Sequence, residues 1–162
     1  METEKQPKET DAVREKLESY GALQRRIDNE NQRLKMFEAA MYAPSTQTLT
    51  GMPSGGGDGT SKTERLILKK EELTKKIEKM EREERQLLDD LDAMIDQLKK
   101  PDEQMVIEMR YIDCSRWWTI CAALYFSEPD YDENPDKYLK RTFKLHGSAL
   151  QTLARIYGST TG

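Results

Sequence analysis

Leu66, Leu73, Met80, Leu87 and Met94 recur at every seventh position, with Ile77, Leu91 and Leu98 interleaved between them. Apolar residues spaced on average every 3.5 positions draw a continuous stripe along one side of an α-helix, and a run this long leaves no room for strands. Ser61 followed by Glu64 is a capping-box pattern that opens this helix, and the apolar seam carries it through residues 61–99. At 1.5 Å per residue such a helix is on the order of 55 Å long. Glu71 with Lys75, Glu72 with Lys76, Glu78 with Arg82 and Glu81 with Arg85 place an acid four residues before a base. That is the favourable order on a solvated helix, contributing about 0.3–0.5 kcal/mol per pair. Lys70 and Glu84 interrupt the seam, so two arrangements are open: a hairpin within the chain, or a homo-oligomer built through residues 61–98.

A partner helix precedes it. Val13, Leu17, Tyr20, Ile27, Leu34 and Met41 form a second seam near heptad spacing, with Gln24, Asn31 and Glu38 at polar seam positions, which predicts an amphipathic helix over 11–42. Polar residues in a seam lower stability and fix pairing register. Residues 43–60 contain two prolines and a Gly-rich run without periodicity, the composition of a flexible linker long enough to reverse the chain. Residues 1–10 read as a disordered polar tail.

These helices account for an unusual balance of residues: 36% hydrophobic against 35% charged in 162 residues, which leaves a small core in one compact domain with extensions. No apolar run approaches the roughly 18 residues that span a bilayer, and the first residues lack the apolar segment of a secretory signal. We therefore expect a cytoplasmic protein without membrane contact. Cys114 and Cys121, with His146 as the single histidine, cannot complete an ordinary four-ligand zinc site and read as reduced thiols. Asp130, Asp132 and Asn134 imitate the first ligands of a calcium loop, but Pro135 stands where glycine is needed and Arg141 where the bidentate glutamate belongs. No phosphate loop, paired carboxylates or nucleophile elbow is present. The expectation is a non-enzyme with no metal and no cofactor.

Beyond Pro101 the pattern shortens into three apolar groups over residues 101–157. The first holds Met105, Val106, Met109, Tyr111 and Ile112. The second follows Ser115 as N-cap and holds Trp117, Trp118, Ile120, Cys121, Leu124 and Tyr125. The third opens at Asn134-Pro135, a cap followed by proline at the first helical position. On this last helix Leu139, Phe143, His146, Leu150, Leu153 and Tyr157 share one side, and Lys137, Lys140, Arg141, Lys144, Ser148, Gln151 and Arg155 the other. The chain carries a net charge of −4, yet from Lys137 onward it has five Lys or Arg and no Asp or Glu. A basic stripe on an acidic protein points to a localised polyanion contact, and a single helix fits the major groove of double-stranded DNA. Three helices with a basic last one outline a helix-turn-helix. The fold class is therefore all-α: long coiled-coil-like helices followed by a C-terminal helix-turn-helix domain.

Residues 106–127 and 141–153 resemble the C-terminal half of the ArpU-like and RinA-like regulators of Gram-positive phages and mobile elements. The matching features are Met109-Arg110-Tyr111-Ile112, the pair Trp118 and Ile120, and the run from Arg141 to Leu150. The resemblance implies a helix-turn-helix similar to the DNA-binding C-terminal region of sigma factors, in a transcriptional regulator, an activator, with RNA polymerase as a further partner. It implies that Lys137, Lys140, Arg141 and Lys144 contact DNA, with Ser148 and Gln151 as lesser contacts. The sequence departs from that pattern at 127–136, where Glu128, Asp130, Asp132, Glu133 and Asp136 occupy an acidic insertion in place of a short turn. Two alternatives stand beside this reading: a phage small terminase subunit, and a coiled-coil adaptor that binds no DNA. His146 is expected to be packed in the seam, Trp118 to enter the core, and Trp117 to remain near the surface.

Overall fold

The computed structural model describes residues 9–42 and 61–160, and among these every regular element is helical. The disordered tail expected over 1–10 falls outside the described residues except for Glu9 and Thr10, which open the first helix, and the linker 43–60 falls wholly outside them. Five α-helices follow in order: α1 Glu9–Tyr42, α2 Lys62–Ile95, α3 Pro101–Ile107, α4 Trp117–Tyr125 and α5 Pro135–Thr160. A π-helical turn, Glu108–Ile112, continues α3. The chain divides into two compact units: Met1–Leu23 together with Glu84–Gly162, and Gln24–Glu83.

The unit Gln24–Glu83 is a two-helix hairpin. Lys70 Nζ lies 3.5 Å from Glu38 and Lys76 Nζ 3.7 Å from Glu30, so the later residue of α1 faces the earlier residue of α2 and the helices run antiparallel. The hairpin within one chain, one of the two arrangements open from sequence, is present in this structure. Ile27 of α1 and Leu73, Ile77 and Met80 of α2 are buried. Half-exposed ion pairs of this kind contribute about 0–1 kcal/mol each, so the apolar seam carries the hairpin and the charges set its register. Ser61 caps the start of α2, with Glu64 N–H donating to Ser61 Oγ at 3.1 Å, one of the two bonds of the capping box.

In the other unit, Val13, Leu17 and Tyr20 of α1 meet Leu91, Met94 and Ile95 of α2, Leu98, Ile107 and Tyr111, and Ala149, Leu150, Leu153 and Ala154 of α5 in one apolar cluster. α2 ends at Ile95 in a tight turn, with Leu98 N–H bonded to Ile95 O at 2.9 Å, short of the end expected near residue 99. Gln104 Nε2 donates to Leu98 O at 2.8 Å and closes the corner, while Pro101 takes the first turn of α3, where a missing N–H costs nothing. Ser115 is not the N-cap of α4. Arg116 occupies that position in extended conformation without a side-chain cap, while Ser115 N–H is bonded to Met109 O at 2.8 Å and closes the π-helical turn. Cys114 makes this reversal with φ 55°, a left-handed conformation uncommon for a side chain with a Cβ.

Candidate nucleic-acid interface

α5 presents two faces, but its buried face is rotated from the expected one. Tyr138, Thr142, His146, Ala149, Leu150, Leu153 and Ala154 are buried, which moves the centre of the face by about 40° at 100° per residue. Phe143, assigned to the seam from sequence, is 43% exposed and lies edge-on to Trp117 at 5.0 Å. The rotation has a local cause: Thr142 satisfies its hydroxyl by donating to Tyr138 O at 2.9 Å, so a polar residue enters the core at little cost. Trp117 and Trp118 also exchange their expected places. Trp118 is 49% exposed, whereas half-buried Trp117 packs against Phe143, His146 at 4.8 Å and the Arg110 guanidinium at 4.5 Å.

The opposite face carries the charge. Lys140, Arg141, Lys144, Gln151 and Arg155 are exposed along it. Lys137 is exposed as well, but its ammonium is 3.1 Å from Asp130 in the acidic segment. Arg141 lies 5.2 Å over the Tyr138 ring, which holds its guanidinium near the start of the helix. Ser148 differs from the rest: it is half-buried and donates at 2.8 Å to Glu103, a carboxylate only 3% exposed on α3. Its hydroxyl therefore joins α5 to α3 rather than facing outward.

The acidic segment between α4 and α5 is held by α5 itself. Asp130 accepts hydrogen bonds from the Tyr138 hydroxyl and from Lys137, and Asn134 Nδ2 approaches it at 3.4 Å. The Tyr138 hydroxyl and Lys137 together hold the Asp130 carboxyl down at about 2. The same bond, with burial second, pushes the Tyr138 phenol up to about 12. Rings close the arrangement: Tyr138 lies 5.2 Å from Tyr125 and 5.9 Å from Tyr131, and Tyr131 lies 6.3 Å from Phe126. Neither Glu103 nor this tyrosine cluster was marked by sequence reasoning. The recurrence of Tyr125, Tyr131 and Tyr138 around the acidic run was the available signal.

His146 is packed as expected. It is 8% exposed, its Nε2 lies 2.7 Å from the Tyr111 hydroxyl, and burial, reinforced by Arg14 and Arg110, lowers its pKa to about 4. Among the described residues no helix is long and apolar enough to cross a membrane, and no cluster of three or more His, Cys, Asp or Glu could hold a metal ion. No curated protein and no solved structure matches the chain. Residues 63–139 are similar to a family described as "Protein of unknown function (DUF1492)", a match that takes in most of α2, all of α3 and α4, and the acidic segment with the first residues of α5.

Proposed function

We propose that this chain is a sequence-specific DNA-binding transcriptional regulator, an activator, of a Gram-positive phage or mobile element, and that it holds duplex DNA against the outer face of α5. The observation that carries this reading is the exposure of Lys140, Arg141, Lys144 and Arg155 along one side of α5, with no ion pair to any of them among the described residues. Four such cations on a protein of net charge −4 are a localised attraction for a polyanion. The resemblance of residues 141–153 to the ArpU-like and RinA-like regulators supports α5 as the reading helix of a helix-turn-helix made from α3, α4 and α5. RNA polymerase is the second partner in this reading. Lys140, Arg141 and Lys144 are the principal contacts and Gln151 a lesser one. Lys137 contributes less because Asp130 neutralises it, and Ser148 is engaged by Glu103.

A salt series of duplex binding tests the reading. Replacing Lys140 and Lys144 by Ala is expected to weaken binding and to flatten the slope of log K against log salt by about 0.9 for each phosphate that is no longer neutralised. An affinity and slope equal to the parent's, in a variant that keeps its helicity, would remove α5 as the DNA-binding element. Selection of bound sequences from random duplexes then identifies the operator.

A further inference from the structure

A second polar surface lies away from the outer face of α5, in a cavity of about 580 Å³ whose walls come from α1, the π-helical turn, α4 and α5. Arg14, Arg110, Tyr111, His146 and Trp117 line it, with Glu18 as the one acid among the described residues that do so. We propose that this cavity binds a small oxyanion, a phosphate- or carboxylate-bearing molecule held between the guanidinium groups of Arg14 and Arg110. The proposal is independent of the DNA-binding reading.

Several features preorganise the site. Val13 and Leu17 are buried in the core, which sets Arg14 and Glu18 beside them on the same flank of α1. The π-helical turn inserts a residue before Asp113, and the left-handed Cys114 reverses the chain at once. That reversal brings Ser115 O to Arg110 Nη1 at 3.1 Å, and the guanidinium is held against the Trp117 ring at 4.5 Å. One edge of a planar fork is thereby occupied, and a fixed guanidinium loses little freedom when it binds an oxyanion through its remaining donors. Strained left-handed residues and π-helical turns concentrate at functional sites. The opposite wall supplies the Tyr111 hydroxyl, 2.7 Å from His146 Nε2.

The charges favour an anion. Two guanidinium groups against Glu18 leave the lining with one net positive charge. Burial, reinforced by the two guanidinium groups, holds His146 down at about 4, so the ring adds no charge of its own to the lining. A volume near 580 Å³ suits a metabolite-sized molecule.

Trp117 supplies the readout. In full-length protein carrying Trp118→Phe, the remaining indole belongs to the cavity, and inorganic phosphate titrated at constant ionic strength against chloride is expected to change its fluorescence saturably, with half-saturation at or below about 10 mM. Arg14→Gln and Arg110→Gln should each raise the half-saturation by about tenfold or more, as removal of one charged hydrogen-bond partner requires. Arg82→Gln, on an exposed position of the hairpin unit, should leave it unchanged. Glu18→Gln should tighten binding, an outcome that does not depend on a variant that fails to fold for other reasons. A response that is linear in phosphate, equal in Arg14→Gln and the parent, or unmoved by Glu18→Gln overturns the proposal. So does loss of duplex DNA binding in Arg14→Gln without any saturable phosphate response, which would give the cavity to the nucleic-acid backbone. Failure of the Lys140 and Lys144 double variant to lose DNA affinity bears only on the DNA-binding reading.

Discussion

His146 couples the core to acidity. Its pKa in the folded chain is about 4, against about 6.5 for an ordinary imidazole. Between these two values the unfolded chain takes up a proton that the folded chain refuses, so stability is complete above about pH 6.5 and declines as pH falls toward 4. At about 1.4 kcal/mol per unit, the loss across that window is on the order of 3 kcal/mol. Urea melts at pH 7 and pH 4.5 measure it. His146→Gln is expected to be less stable than the parent at pH 7 and to lose less on acidification, whereas equal pH dependence in the two proteins would show that the ring is accessible to protons in the folded state. The packed state of His146 was legible from sequence because its spacing set it among apolar residues. Its bond to Tyr111 was not, since 35 positions separate the two residues and no periodicity links them. The placement of the two tryptophans was not legible for a similar reason. Adjacent residues on a helix point about 100° apart, and which of them faces inward is decided by Phe143 and Arg110 on other segments.

Among elements, α2 was the most readable. Its seam predicted burial of Leu73, Ile77, Met80, Leu91, Met94 and Leu98, all of which are buried, while Leu66 and Leu87 on the same seam are partly buried. A heptad pattern names the inward face of a helix whatever the partner is. α5 was readable in its charge and misread by about 40° in its packing, because Tyr138 and Thr142 are buried through hydrogen bonds that a division into polar and apolar residues does not register. The acidic segment before α5 read as an insertion in place of a short turn, and Asp130 within it is bonded to the first turn of the helix that follows. Asp130→Asn tests that tie. Removing the carboxylate should speed amide exchange over residues 128–134 and return the Tyr138 phenol toward its ordinary range. It should also release Lys137, raising affinity for random-sequence duplex at low salt, with the gain fading as the Debye length falls below about 8 Å. Exchange rates unchanged over 128–134 would mean that the tyrosine rings alone hold the segment.

The two units of the molecule differ in what supports them. The hairpin unit has two helices and a single seam, while the other unit joins portions of five helices around one cluster of thirteen buried residues. A helix pair with one buried stripe opens more readily than a core closed on several sides. Hydrogen exchange followed by mass spectrometry is expected to show residues 66–80 exchanging well ahead of residues 87–98, although both stretches begin in α2. Uniform protection along α2 would show the two units opening as one. Composition suggested a small core but could not assign residues to it, since the cluster joins residues of α1 and α5, at opposite ends of the described chain, to residues of α2, α3 and the π-helical turn.

That last arrangement bears on the order in which the protein folds. Lys16 Nζ lies 2.8 Å from the Tyr157 hydroxyl across 141 positions of sequence, so the larger unit must wait for its most distant segments to meet. The hairpin's own pairs lie closer in sequence, Glu38 with Lys70 at 32 positions and Glu30 with Lys76 at 46, and its antiparallel closure shortens the path from Leu23 to Glu84. A free excursion of the 60 residues Gln24–Glu83 would cost about 3–4 kcal/mol in loop closure. Forming the hairpin first would remove most of that cost, so a variant that weakens the hairpin seam, such as Ile77→Ala, is expected to slow folding of the larger unit as well.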